Sequence, residues 1–338
     1  MRRGWSRIAA LVSVLAVVLG ATACSGSEDK NELLIYNAQH ESLTKEWIDA
    51  FTKETGIKVS YRQGGDTELG NQLIAEGEAS PADVFLTENS PAMAAVERAG
   101  LFADLNADTI GQVPAQYRPA SGKWTGVAAR TTVFVYNKAK LQPDQLPKSL
   151  LDLEQPKWKG RWGAPPAKAD FQAIVAALLQ LKGDAATAQW LAGMKANAAI
   201  YNDNIATLKA VNAGEVDGGV IYHYYWFRDQ AKTKEMSGNT ALYYFRNQDP
   251  GAFVSLSGGG VLKSSKKADK AQQFLKFITG KAGQEVLEKG DSFEYPVASG
   301  VPANPALAPL ADLQAPALDP STLDAQKVTD LMTKAGLL

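Results

Sequence analysis

Cysteine is almost absent. The 338 residues contain one, Cys24, so no intrachain disulfide can form, and beyond residue 24 there is neither a thiolate metal site nor a cysteine nucleophile. Charge of one sign is lacking too. Lys and Arg number 35 against 36 Asp and Glu, a formal net charge of −1, and no block of like charges points to nucleic acid. Motifs of common enzyme classes are missing: no GxSxG, HExxH or Walker pattern occurs, so nothing in the sequence supports catalysis. Past the N-terminus no apolar run is long enough to span a bilayer.

The N-terminus itself is distinctive. Arg2, Arg3 and Arg7 precede an apolar run from Ile8 to Leu19, and the small residues Gly20, Ala21, Thr22 and Ala23 follow. This is the pattern of a secretory signal peptide, over 1–23. Ala21-Thr22-Ala23-Cys24 resembles a bacterial lipobox, in which the cysteine is acylated and becomes the first mature residue. Ala21 stands where that pattern prefers a larger apolar side chain, and plain secretion with a free Cys24 thiol is the other reading. Residues 24–32 are polar and aperiodic, a flexible tether. Removing the leader takes three arginines and leaves 315 residues with a net charge of −4. That length fits about two domains, and the expected state is a monomer.

Strand and helix patterns alternate from Leu33 onward. Strands are expected at 33–36, 57–61, 82–86, 133–136 and 216–221. Helices are expected at 41–55, 67–78, 171–181, 185–195, 205–212, 268–278, 284–289 and 322–334, with another opening at Ser90-Pro91 and ending at Gly100. The Gly- and Ser-rich but apolar stretch 251–262 suggests a strand passing between lobes, and 302–320 a Pro- and Ala-rich surface wrap. This alternation predicts an α/β clamshell of two lobes joined by crossover strands. The expected lobes are 33–130 with 255–300, and 131–254 with 301–338. Ligands of such sheets bind beyond the carboxyl ends of strands.

Four polar or aromatic side chains fall just past such ends: His40, Glu88, Tyr224 and Tyr225. Taken singly each has a plain reading. A Tyr-Tyr-Trp-Phe run suits an aromatic core, a histidine at a strand end is commonly structural, and Glu88 could favour the start of the next helix. Phenolate and carboxylate are anionic oxygens, the donors a hard cation prefers, and two phenolates with one carboxylate would carry three negative charges.

The chain resembles the bacterial ferric-binding proteins throughout its mature length. The resemblance rests on Tyr36-Asn37-Ala38-Gln39-His40, Pro81 to Glu88, Pro156-Lys157-Trp158-Lys159-Gly160, Tyr224-Tyr225-Trp226 and Gln248-Asp249-Pro250-Gly251-Ala252, in that order. It implies a type II periplasmic-binding-protein fold, Fe3+ as the transported ligand held by His40, Glu88, Tyr224 and Tyr225, and an ABC permease as partner outside the cytoplasm. Some relatives add a synergistic carbonate or phosphate. Here Asn204 matches an asparagine beside that anion, while Asp170, on the stretch corresponding to a phosphate cradle, would repel it. Arg130 is expected on a crossover strand, where it would hold carbonate or form an interlobe salt bridge. Tyr222 replaces another asparagine and offers a further phenol. His223 is expected in a supporting or surface role. The alternative is the same scaffold binding a polyamine, thiosulfate or a phosphonate.

Overall fold

The structure, a computed structural model, describes residues 32–338; the leader, most of the tether and Cys24 lie outside them. The first half of the fold opens with β1 (Leu33–Asn37), α1 (Glu41–Thr55), β2 (Val59–Gln63), α2 (Asp66–Glu76), β3 (Val84–Leu86), α3 (Ser90–Arg98) and a short α4 (Ala107–Ile110). The long β4 (Thr125–Asn137) leads to β5 (Trp162–Ala164), α5 (Ala169–Asn197), β6 (Ala198–Ile200), α6 (Asn204–Ala213), β7 (Gly218–Tyr222), α7 (His223–Lys232) and β8 (Thr240–Tyr243). Then come β9 (Val254–Val261), α8 (Ala268–Thr279), α9 (Lys281–Lys289) and α10 (Ala325–Lys334).

The strands run in the order β2-β1-β3-β9-β4-β7-β5-β6, with β8 also paired to β4. β1 is parallel to β2 and β3, and β5 is parallel to β6 and β7, as helical crossovers demand. β9 and β4 are antiparallel to each other and join the two halves. The halves are the two lobes of a type II binding-protein clamshell, and β4 and β9 are the strands that cross between them.

Local chemistry explains the elements. α1 buries Leu43, Trp47, Ile48 and Phe51, one stripe at helical spacing, and stops at Gly56 in the left-handed conformation, φ 73°. The helices expected at 171–181 and 185–195 are both present within α5, which is kinked between them at Gly183, φ 77°. β4 is longer than the expected 133–136, because Thr125 to Val135 is buried on both faces and pairs first with β9 and then with β7 and β8. β5, β6 and β8 are too short to stand out by periodicity. Tyr224 and Tyr225 lie just past β7, as expected, in the first turn of α7. Separate apolar cores lie beneath each half, one around Trp47, Phe51 and Phe274, another around Trp158, Trp162 and Trp190.

Candidate metal centre

Each half presents its groups from strand ends and helix starts. β1 ends at Asn37, and the turn that follows delivers His40 as the residue before α1. β3 ends at Leu86, and Glu88 follows before α3. From the other half, Asp170 lies in the first turn of α5, Asn204 begins α6, and Tyr224 and Tyr225 lie in the first turn of α7.

These groups converge. His40 Nδ1 stands 3.0 Å from Glu88 Oε1. The His40 ring meets the Tyr224 ring edge-on at 5.1 Å, across the junction of the halves. The Tyr224 and Tyr225 rings lie 4.2 Å apart. Both hydroxyls donate to one atom, Asp170 Oδ2, at 3.3 and 3.1 Å. The Asn204 amide donates to the same oxygen at 2.9 Å. His40, Glu88, Tyr224 and Tyr225 are therefore brought near one another, and Asp170, expected from the sequence only to repel an anion, accepts from both phenols. Asp170 is 3% exposed.

The electrostatics follow from burial. Burial first, and the Asp170 carboxylate next, push Tyr222, Tyr224 and Tyr225 well above the usual phenol value, so without a cation they keep their protons. Burial, then Asp170, likewise raises Glu88 well above the usual carboxylate range. His40 is lowered to about 3 by burial and then by Arg130, and is neutral at ordinary pH. Its Nδ1 faces Glu88 while the buried Nε2 has no hydrogen-bond partner. With Nδ1–H pointed at Glu88, Nε2 carries the free lone pair, the arrangement of an imidazole poised to bind a cation. Among the described residues no group of three or more His, Cys, Asp or Glu side chains is arranged for a metal, so any such site here depends on the phenols.

Arg130 lies on a crossover strand, as expected. It is fully buried on β4 and pairs through Nη2 with Glu294. Its Nη1 lies 3.8 Å from Glu88 Oε2, and its guanidinium sits 5.5 Å over the Tyr224 ring. Burial opposes that charge, but Glu294, then Tyr224 and Glu88, outweigh it and hold the guanidinium protonated. Arg130 Nε and Nη1 make no hydrogen bond. Asn204 holds Asp170. The Tyr222 hydroxyl donates to Asn89 Oδ1 at 3.2 Å. His223 is not a surface residue: it is wholly buried, its Nδ1 accepts from the Thr131 amide at 3.1 Å, and Nε2 donates to the Phe293 carbonyl at 2.7 Å. A cavity of about 440 Å3 adjoins the cluster, reached past Gly64, Gly65, Lys168 and Ile205, and opens onto Glu88, Asp170 and Tyr225.

Comparison with known proteins gives consistent results. The family model described as bacterial extracellular solute-binding protein matches residues 79–326. The Fe(3+)-binding periplasmic protein of Serratia marcescens is 61% identical over 331 residues, covering 98% of this chain and 97% of that protein. Iron-bound HitA from Pseudomonas aeruginosa superposes with a TM-score of 0.84 at 42% identity, over 90% of this chain and 99% of that one. A Trichodesmium protein, IdiA (FutA), solved in complex with iron and citrate ligands, matches with a TM-score of 0.80 at 28% identity over 91% of this chain and 100% of its own.

Proposed function

The chain belongs to the bacterial extracellular solute-binding protein family, and from that premise we propose that it captures ferric iron outside the cytoplasm and hands it to an ABC importer. The observation that carries this reading is the shared acceptor: two adjacent phenols aimed at one buried carboxylate oxygen, opposite a histidine and a glutamate. A hard trivalent cation takes such oxygens. Its charge displaces the phenolic protons that burial otherwise retains, so uptake releases protons.

His40, Glu88, Asp170, Tyr224 and Tyr225 are the proposed protein donors. Asp170 supplies anionic oxygen on the helix start that corresponds to a phosphate cradle, which argues against phosphate as a companion. Arg130 Nε and Nη1, which make no hydrogen bond, are the proposed donors to a small anion such as carbonate. The lobes are proposed as 33–130 with 255–300 and 131–254 with 301–338, boundaries that fall within β4 and at the start of β9. Cys24 is the proposed lipid-attachment site, tethering a monomeric carrier to the membrane beside its permease. No reaction is assigned to the chain.

Iron-phenolate pairs absorb visible light by charge transfer, which gives a direct test. Adding ferric iron to the iron-free protein is expected to produce a visible band, and Tyr224→Phe to weaken it and lower affinity at least ~100-fold, about 2.7 kcal/mol. A colourless wild-type protein that instead binds a polyamine, thiosulfate or a phosphonate would replace this reading with the other.

A further inference from the structure

Asn89 lies between β3 and α3 and is 1% exposed. An amide side chain has two N–H donors and two acceptor positions. Asn89 uses all of them. Its Nδ2 donates to Asp66 Oδ2 at 3.1 Å and to Asp170 Oδ1 at 2.9 Å. Its Oδ1 accepts from the Tyr222 hydroxyl at 3.2 Å and from Ser255 Oγ at 2.9 Å. Asp66 opens α2, in the same half as Asn89. Asp170 and Tyr222 belong to the other half, and Ser255 is on the crossover strand β9.

Asparagine immediately before a helix ordinarily caps it through its side chain, a contribution of about 1 kcal/mol. Asn89 occupies that position ahead of α3, yet its side chain makes no capping bond. The local use of the residue is forgone in favour of contacts reaching across the molecule. Their effect on Asp170 is specific. Asn89 holds Oδ1 while Asn204 and both phenols address Oδ2. One oxygen is thereby fixed and the other is turned toward the phenols. The same amide nitrogen bridges the Asp66 and Asp170 carboxylates.

We propose that Asn89 is the clasp that couples iron capture to closure of the two halves. This rests on the iron reading above. In the closed molecule Asn89 orients Asp170 for the cation. On opening, its bonds to Asp170 and Tyr222 part, while those to Asp66 and Ser255 stay within one half and its crossover strand. Asn89 acts through Asp170 and is a positioning residue.

Asn89→Asp keeps the shape and removes the donor. Iron affinity, measured by competition with a chelator, is expected to fall about 10- to 100-fold, the usual range for a group that orients a metal ligand. The charge-transfer band is expected to move, and the iron-loaded protein to scatter X-rays as a more open particle. The decisive variant is the exchange Asp66→Asn with Asn89→Asp. It restores an amide–carboxylate pair within the first half but leaves a carboxylate facing Asp170. It should recover the thermal stability of the iron-free protein and not its affinity or band position. Recovery of affinity along with stability would make Asn89 a structural residue of its own half and overturn the inference. So would an Asn89→Asp protein with wild-type band and affinity. If Asn89→Asp does not fold, Asn89→Ala is read by the same three measurements. A wild-type protein with no band at all would overturn the iron reading itself, a distinguishable result.

Discussion

Burial at the candidate metal centre acts on single residues with opposite signs. It keeps His40 and His223 neutral, each lowered to about 3, raises Glu88 well above the usual carboxylate range and keeps protons on the phenols. Asp66 is raised to about 7, mainly by burial, with the Asn89 and Glu88 N–H groups offsetting part of it. A carboxyl whose folded pKa lies above its unfolded value binds more protons when folded, so its contribution to stability is full below about 4 and is lost as pH rises toward about 7. Asp66→Asn removes that loss. Thermal melts of the iron-free proteins are therefore expected to show the variant gaining on wild type between pH 4 and pH 7, and a constant difference above. A difference independent of pH would contradict the assignment. At this scale the sequence singled out His40, Glu88, Tyr224 and Tyr225, which the fold brings near one another, but gave Asp170 no place beside them. An acidic residue in the first turn of a helix is what the helix dipole alone would favour, so nothing local marks Asp170 as part of a site. Only the tertiary arrangement brings Tyr225 to within 3.1 Å of it.

Among the elements, β9 is closely packed along its three consecutive glycines. Gly258, Gly259 and Gly260 stand where side chains would collide with the neighbouring layers. A Cβ on Gly258 would run into Met93 of α3, on Gly259 it would lie 2.9 Å from Val127, and on Gly260 2.6 Å from Phe102. The glycines let α3 and the 102 region settle directly on the strand that joins the halves. Gly258→Ala is expected to destabilise by about 1–3 kcal/mol, the cost of overpacking, read as a lower denaturation midpoint with an unchanged denaturant slope. The composition of 251–262 identified this stretch as a crossover strand, though not its start, since Pro250–Ala252 forms a turn of 3-10 helix first. α7 was illegible as a helix because its opening His-Tyr-Tyr-Trp-Phe run is aromatic and poor in helix formers. Near it, Phe293 adopts φ 55°, uncommon for a bulky residue. The His223 bond to its carbonyl fixes that turn, and Glu294 follows it directly into contact with Arg130.

Over the whole molecule the described halves are in contact, with His40 and Asn89 of one touching Tyr224 and Asp170 of the other. The lobed α/β architecture could be read from alternating periodicities because long amphipathic helices such as α1 and α8 carry the signal; the pairing order of strands could not, since it depends on which faces meet. Small-angle scattering is expected to give the iron-loaded described portion a radius of gyration of about 19 Å, the value for a compact chain of its length. The iron-free protein is expected to be measurably larger. Equal radii for the two states would mean that the ligand does not drive closure.

β4 and β9 add a mechanical consequence. They are hydrogen-bonded to one another from Thr125–Gly259 to Thr131–Val254, with one irregularity between Gly126 and Ala128. Two separate straps would let the lobes twist, slide and gape independently. Straps stitched along their length behave as a single leaf spring, leaving one soft coordinate for the pair. An incoming ion then meets the donors along one approach path, and the lobes come back together in register each time.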